Sequence, residues 1–257
     1  MWKERSKMVR ELTFIKKNGK RIRGEACIPE GSGRYPVVIF CHGFGGDFRG
    51  LAHHGEGFAK EGICCLFFDF CGGGRNSLSD GAMEEMTVMT ECEDLEEVIE
   101  YVKALDYVDR EQIFLQGESM GGLVSALTAA KRAEDIRALV LWYPAFIIPE
   151  DAEKRYQAGG GEVFGIPLGR SFDQEAKKID VYHEIGRYTK PVLIIHGDKD
   201  PVVPLRYSER ALTVYPNAKL IVMRGAGHGY DGEDSAAARK HSISFIKEHC
   251  GRKFVGH

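Results

Sequence analysis

The residues best equipped for chemistry stand where apolar runs end. Gly117-Glu118-Ser119-Met120-Gly121-Gly122 follows the run at 112–116 and opens a small-residue stretch at 123–130 that suits a helix. A strand that turns directly into a helix holds its junction residue in a tight, strained bend, with the side chain above the sheet edge. Ser119 is that residue. Gly117 and Gly121 fit the same geometry, because a side chain at either would collide as strand and helix pack closely. The first amides of the new helix, above all the Met120 N–H, would face an oxyanion formed on a carbonyl attacked by Ser119, and the helix dipole favours that charge.

A serine hydroxyl is a weak nucleophile at neutral pH and needs a base. Two further run ends offer one, together with its acid. The run at 191–196 ends in His196-Gly197-Asp198-Lys199-Asp200-Pro201, and the run at 219–223 ends in Arg224-Gly225-Ala226-Gly227-His228-Gly229. Ser119, Asp200 and His228 thus occur in the chain order serine, acid, histidine. His228, on a glycine-rich loop, is the expected base, and Asp200 the carboxylate that fixes its tautomer. Asp198 is the alternative acid, although it could equally satisfy turn amides. The second oxyanion donor is expected from the Phe44 N–H in His42-Gly43-Phe44-Gly45-Gly46. His42 and His196 read as structural histidines bonded to loop backbone. The remaining histidines show no metal-ligand spacing, and neither a metal nor another cofactor is expected.

These groups need elements to place them. Runs at 36–41, 63–70, 112–116, 137–142, 191–196 and 219–223 read as strands, the most continuous of them buried on both faces. Helical patterns at 49–60, 87–105, 123–130, 205–215 and 235–249 alternate with them. Ahead of them, strands at 11–16 and 21–29 flank Asn18-Gly19, a hairpin signal. The expectation is an α/β protein: a mostly parallel eight-stranded sheet, helices on both faces, and chemistry at the carboxyl ends of the strands. The alternation breaks at about 145–188, a segment rich in glycine, charge and isolated aromatics with short helical hints near 174–184. It is expected to be strandless and to form a lid inserted after the sixth strand. Trp142, Tyr143, Tyr156, Phe164 and Phe172, in or just before it, are candidates for an aromatic acyl pocket.

The chain has 257 residues, 43% hydrophobic and 28% charged, with a net charge of −3. One domain spanning 1–257 is expected. That charge carries no electrostatic footprint for nucleic acid or an anionic membrane. Lys3, Arg5, Lys7 and Arg10 are interleaved with Glu4 and Glu11, with no signal-peptide core and no run fit to span a bilayer. A cytoplasmic protein is expected. Seven cysteines, mostly within apolar runs and without C-x-x-C spacing, read as reduced core residues.

The segments HGFGG (42–46), FDFCGGG (68–74), GESMGG (117–122), HGDKDPVVP (196–204) and GAGHGY (225–230) resemble the α/β-hydrolase superfamily over nearly the whole chain. FDFCGGGRNSLSDG (68–81) followed by MTVMTECEDLEEVIEYVK (86–103) is most similar to the cinnamoyl (feruloyl) esterases and their serine aminopeptidase-like and monoacylglycerol-lipase-like relatives. The sequence departs from that pattern at Glu118, where His or Gln is commoner, and at Cys71-Gly72-Gly73-Gly74, in place of a Gly-His-Gly type of loop. The resemblance implies Ser119 as nucleophile, Asp200 as acid, His228 as base, Phe44 and Met120 as oxyanion donors, and an aromatic-acyl pocket under the lid. Three readings stand: a serine hydrolase acting on small-molecule carboxylic esters, an aminopeptidase or amidase with the same triad, and a non-catalytic receptor on the same fold. A homodimer is allowed for.

Overall fold

The computed structural model describes residues 9–251; the charged residues Lys3 to Lys7, and His257, fall outside the described residues. The chain opens with the hairpin Val9–Ile15 (β1) and Arg21–Cys27 (β2), paired antiparallel from Val9 opposite Cys27 to Ile15 opposite Arg21. Its turn falls on Asn18-Gly19 as the sequence predicts, Gly19 taking a φ of 85° that a side chain would disfavour. Tyr35–Cys41 (β3) follows, then the short helices Phe48–Ala52 (α1) and Gly55–Ala59 (α2), and Cys64–Phe68 (β4). Next come Val88–Lys103 (α3), Val108–Glu118 (β5), Ser119–Lys131 (α4) and Ala138–Trp142 (β6).

The segment after β6 holds Ile148–Gln157 (α5), the two-residue strands Glu162–Val163 (β7) and Ile166–Pro167 (β8), Arg170–Ala176 (α6) and Val181–Ile185 (α7). The chain then runs through Val192–Gly197 (β9), Arg206–Ala211 (α8), Ala218–Met223 (β10) and Gly232–His249 (α9). Among the described residues no helix is long and apolar enough to cross a membrane.

Eight strands form one sheet in the order β1-β2-β4-β3-β5-β6-β9-β10, antiparallel at β1-β2-β4 and parallel from β4 onward. Period-two alternation sends the strands' side chains into two separate layers. Val37, Ile39 and Cys41 join Leu95, Val98, Leu123 and Val124 of α3 and α4 in one buried cluster. Val38 and Phe40 join Phe48 and Phe58 of the short helices and Ile246 of α9 in the other. Helices therefore cover both faces, which is why the central strands are predominantly apolar.

Two expectations are corrected. The stretch at 49–60 is two helices, not one: Gly55 starts the second where a Cβ would lie 2.8 Å from Cys27 Cβ, and three glycines weaken a continuous helix. The segment at 145–188 is also more regular than its composition suggests, carrying a ten-residue helix and a two-stranded hairpin. α5 has Glu150 and Asp151 in its first turn and Lys154 and Arg155 in its last, which suits the helix dipole.

α3 buries two acidic residues on its inner face. Asp94 is buried against Lys16, and its second oxygen accepts the Cys71 N–H at 2.6 Å. Glu91 is fully buried with both carboxyl oxygens unpartnered, and burial, then the nearby Asp94, pushes its pKa well above the ordinary 4.5. The folded state thus keeps a proton that the unfolded chain releases above pH 4.5, so stability falls as pH rises. Glu91→Gln is expected to remove that dependence, which is at most about 1.4 kcal/mol per pH unit. Urea midpoints should then separate in favour of the variant between pH 5 and pH 8. Parallel pH profiles would show instead that Glu91 is ionised in the fold.

Candidate active site

Parallel pairing gathers the carboxyl ends of β3, β5, β6, β9 and β10 along one edge, with Cys41 opposite Gly117, Glu118 opposite Trp142 and Met223 opposite Gly197. Ser119 follows β5 directly and begins α4 with a φ of 51°. The bend tolerates no bulk: a Cβ on Gly117 would lie 2.2 Å from Gly121 O, and one on Gly121 2.3 Å from Cys41 O.

The structure brings the expected serine, histidine and acid together. His228 Nε2 lies 3.0 Å from Ser119 Oγ, and His228 Nδ1 lies 2.7 Å from Asp200 Oδ2. Asp200 Oδ1 accepts the N–H groups of Val202 and Val203, each at 2.8 Å, in a turn an aspartate favours. Burial alone would raise the Asp200 carboxyl; hydrogen bonds from His196, His228 and Val203 outweigh it and hold the group well below the usual carboxylate range. Asp198 sits elsewhere, accepting the Gly225 N–H at 2.7 Å and Arg224 Nη1 at 3.1 Å. It ties down the loop that carries His228.

The two other strand-end histidines bond loop backbone. Phe70 N–H donates to His42 Nε2 at 3.2 Å, which leaves Nδ1 to donate to Gly43 O at 2.9 Å. His196 is fully buried, with Nε2 2.8 Å from Val203 O and 3.2 Å from Asp200 Oδ2. A carbonyl only accepts, so Nε2 carries the proton and Ser208 Oγ donates to Nδ1 at 2.6 Å. His196 therefore also steadies Asp200, a contact not visible in the sequence.

The loop bearing Phe44 adjoins the nucleophile, since a Cβ on Gly43 would lie 3.2 Å from Ser119 Cβ. Gly45 N–H bonds Gly73 O at 3.0 Å, fastening this loop to the turn after β4. Met120 is the second residue of α4, where a backbone N–H has no partner within the helix, and the Glu118 side chain makes no capping bond. The Phe44 and Met120 amides are thus on the segments that flank Ser119 Oγ.

A cavity of about 100 Å³ opens beside Ser119, lined by Phe44 and Met120, by Val202 and Val203, and by Ile147, Ile148, Asp151 and Arg155 from α5 and its approach. Ala145, Val163, Phe164, Leu168 and Phe172 complete it. Of the expected pocket aromatics, Phe164 and Phe172 are in place and the other three are not. Trp142 is corrected to the core: it points to the opposite face of β6 and donates its indole N–H to Ser242 Oγ at 3.0 Å. Tyr143 lies behind His228, ring centroids 4.7 Å apart, and donates its hydroxyl to Glu118 Oε2 at 2.7 Å. Tyr156 stacks under Lys177 and Arg170. The residues missed, Ile148, Asp151 and Arg155, share a helix face by their spacing, a signal hidden while the segment read as loop. Among the described residues no three His, Cys, Asp or Glu side chains converge as metal ligands do.

Residues 34–165 match the family model described as serine aminopeptidase, S33, and residues 172–249 match one described as TAP-like protein. A solved structure of ferulic acid bound to Est1E from Butyrivibrio proteoclasticus is similar over 93% of this chain and 98% of its own, with 29% identity and a TM-score of 0.81. The mitochondrial palmitoyl-protein thioesterase ABHD10 of mouse is 28% identical over 218 residues, covering 76% of this chain and 70% of its own. An uncharacterised Mycobacterium tuberculosis protein is 28% identical over 223 residues, covering 85% of this chain and 72% of its own.

Proposed function

From the premise that the chain belongs to the serine aminopeptidase S33 family of α/β hydrolases, we propose that it hydrolyses small carboxylic esters through an acyl-enzyme on Ser119. The observation that carries this reading is the continuous line from Ser119 Oγ through His228 to Asp200, at 3.0 and 2.7 Å. As Ser119 Oγ bonds to the ester carbon, its proton passes to His228 Nε2, and the Asp200 carboxylate stabilises the imidazolium. The Phe44 and Met120 amides receive the oxyanion. Collapse breaks the bond to the leaving alcohol, which takes the proton from His228; water then repeats the sequence on the acyl-enzyme and regenerates the serine.

The acyl group is of the cinnamoyl type in this reading, supported by the aromatic and aliphatic cavity walls and by the similarity to Est1E with ferulic acid bound. The segment at 145–188 acts as the lid. The experiment is kcat/KM on methyl ferulate, p-nitrophenyl butyrate and an aminoacyl arylamide, with Ser119→Ala as control. Methyl ferulate is expected to exceed the other two by tenfold or more. Preference for butyrate would remove the cinnamoyl class and keep the chemistry.

One observation favours a peptidase as the second reading: Asp151 places a carboxylate on the cavity wall, where it could hold a substrate α-amino group. Arylamide turnover exceeding ester turnover would select it.

A further inference from the structure

The carboxylate next to the nucleophile sits in a difficult place. Glu118 is the N-cap residue of α4, whose free first-turn amides are those an oxyanion on the substrate would use. A carboxylate left loose there is drawn to the same positive end of the helix. Yet Glu118 makes no bond to those amides; its Oε2 accepts the Tyr143 hydroxyl at 2.7 Å instead. Tyr143 is itself held firmly. It is 3% exposed, its N–H donates to Ile195 O at 2.8 Å, and its ring packs against the rings of Tyr230 and His228, each at 4.7 Å. Among the described residues only Ser119, Tyr143 and Phe164 are non-glycine residues with positive φ. Two of those three, Ser119 next to Glu118 and Tyr143 itself, belong to the Glu118–Tyr143 contact, so backbone strain is concentrated where this carboxylate is placed.

We propose that Tyr143 is a positioning residue that holds the Glu118 carboxylate away from the oxyanion site, leaving the amides at the start of α4 free for the reaction. The inference rests on the ester-hydrolase reading above. The hydroxyl donates, the carboxylate accepts, and no proton changes hands. Removing the hydroxyl alone leaves the ring on His228 but releases the carboxylate towards the first turn of α4. There it opposes the negative charge of the transition state more than it opposes the neutral substrate, so the cost falls on kcat and not on KM.

The test is a double-mutant cycle on p-nitrophenyl butyrate with wild type, Y143F, E118Q and Y143F/E118Q, rates normalised to the serines that a fluorophosphonate titrates at end point. Normalisation counts folded sites only, so a partly unfolded variant still reports. Tyr143→Phe is expected to lower kcat about tenfold or more in the wild-type background, with KM within about twofold, and by less than about twofold in the E118Q background. An equal loss in both backgrounds, a loss carried by KM, or no loss in the first would overturn the proposal. Turnover that survives Ser119→Ala would overturn the reading of the site itself, whereas Ser119-dependent turnover with an additive cycle removes only the role of Tyr143.

Discussion

Ser119→Ala is expected to lower kcat on the best ester by roughly 10⁴- to 10⁶-fold and to leave the melting temperature within a few degrees of wild type. The two halves of that expectation come from different parts of the structure. Among the described residues His228 Nε2 makes its hydrogen bond to Ser119 Oγ, at 3.0 Å, so the loss of that oxygen removes the group the base acts on. The amides beside it remain and would account for the residual rate. Stability is spared because Ser119 is only half-buried and because alanine meets the same positive-φ strain that serine already bears. Two residues further on the expectation reverses, since a methyl on Gly121 would drive into Cys41 O at 2.3 Å and His42 O at 2.4 Å. Activity within tenfold of wild type in Ser119→Ala, measured on protein with an intact melt, would place the nucleophile elsewhere.

The reactive groups were legible because each closes an apolar strand. A parallel sheet converts that one-dimensional pattern into a shared edge, so Ser119, Asp200 and His228 could be placed without knowing any contact between them. The central strands β3, β4, β6 and β9 were legible because burial on both faces makes them nearly continuous apolar runs, whereas β1, β2 and β10 are partly exposed and read from turn signals and shorter runs. What lies around the reactive groups followed other rules. Trp142 ends β6 and Tyr143 follows it, and both look like pocket walls in sequence, but strand alternation turns Trp142 into the layer under α9 and a positive φ turns Tyr143 beneath His228. α5 was hidden because its helix face is assembled from Ile148, Asp151 and Arg155, two of them charged, where a search for apolar periodicity finds nothing. Arg155 owes its place to Asp173 on α6, which accepts its Nε and Nη2 at 3.0 and 2.8 Å, a pairing that spacing along the chain does not announce.

Asp200→Asn is expected to cost about 10⁴-fold in kcat, and the hydrogen bonds around this side chain say why an isosteric change should be so severe. Val202 and Val203 both donate to Oδ1 at 2.8 Å, so the asparagine oxygen must take that side. Its NH₂ group is then forced to face His228 Nδ1 and His196 Nε2. His196 cannot adapt, because its Nε2 proton is committed to Val203 O at 2.8 Å, and two donors confront each other in a buried space. His228 must accept through Nδ1, which moves its own proton to Nε2 and denies Ser119 its base. The same substitution should reduce stability at neutral pH. The folded-state pKa of Asp200 is depressed, so its contribution is present above the ordinary 3.8 and fades only as pH falls below it. Melting temperatures of wild type and variant should therefore differ at pH 7 and converge only in strong acid. Asp198→Asn provides the contrast. Its oxygen can still accept the Gly225 N–H, and only the negative charge that pairs with Arg224 is lost, so kcat should stay within about tenfold. If the large loss appeared in Asp198→Asn and not in Asp200→Asn, the acid that serves His228 during turnover would be the one that now anchors its loop.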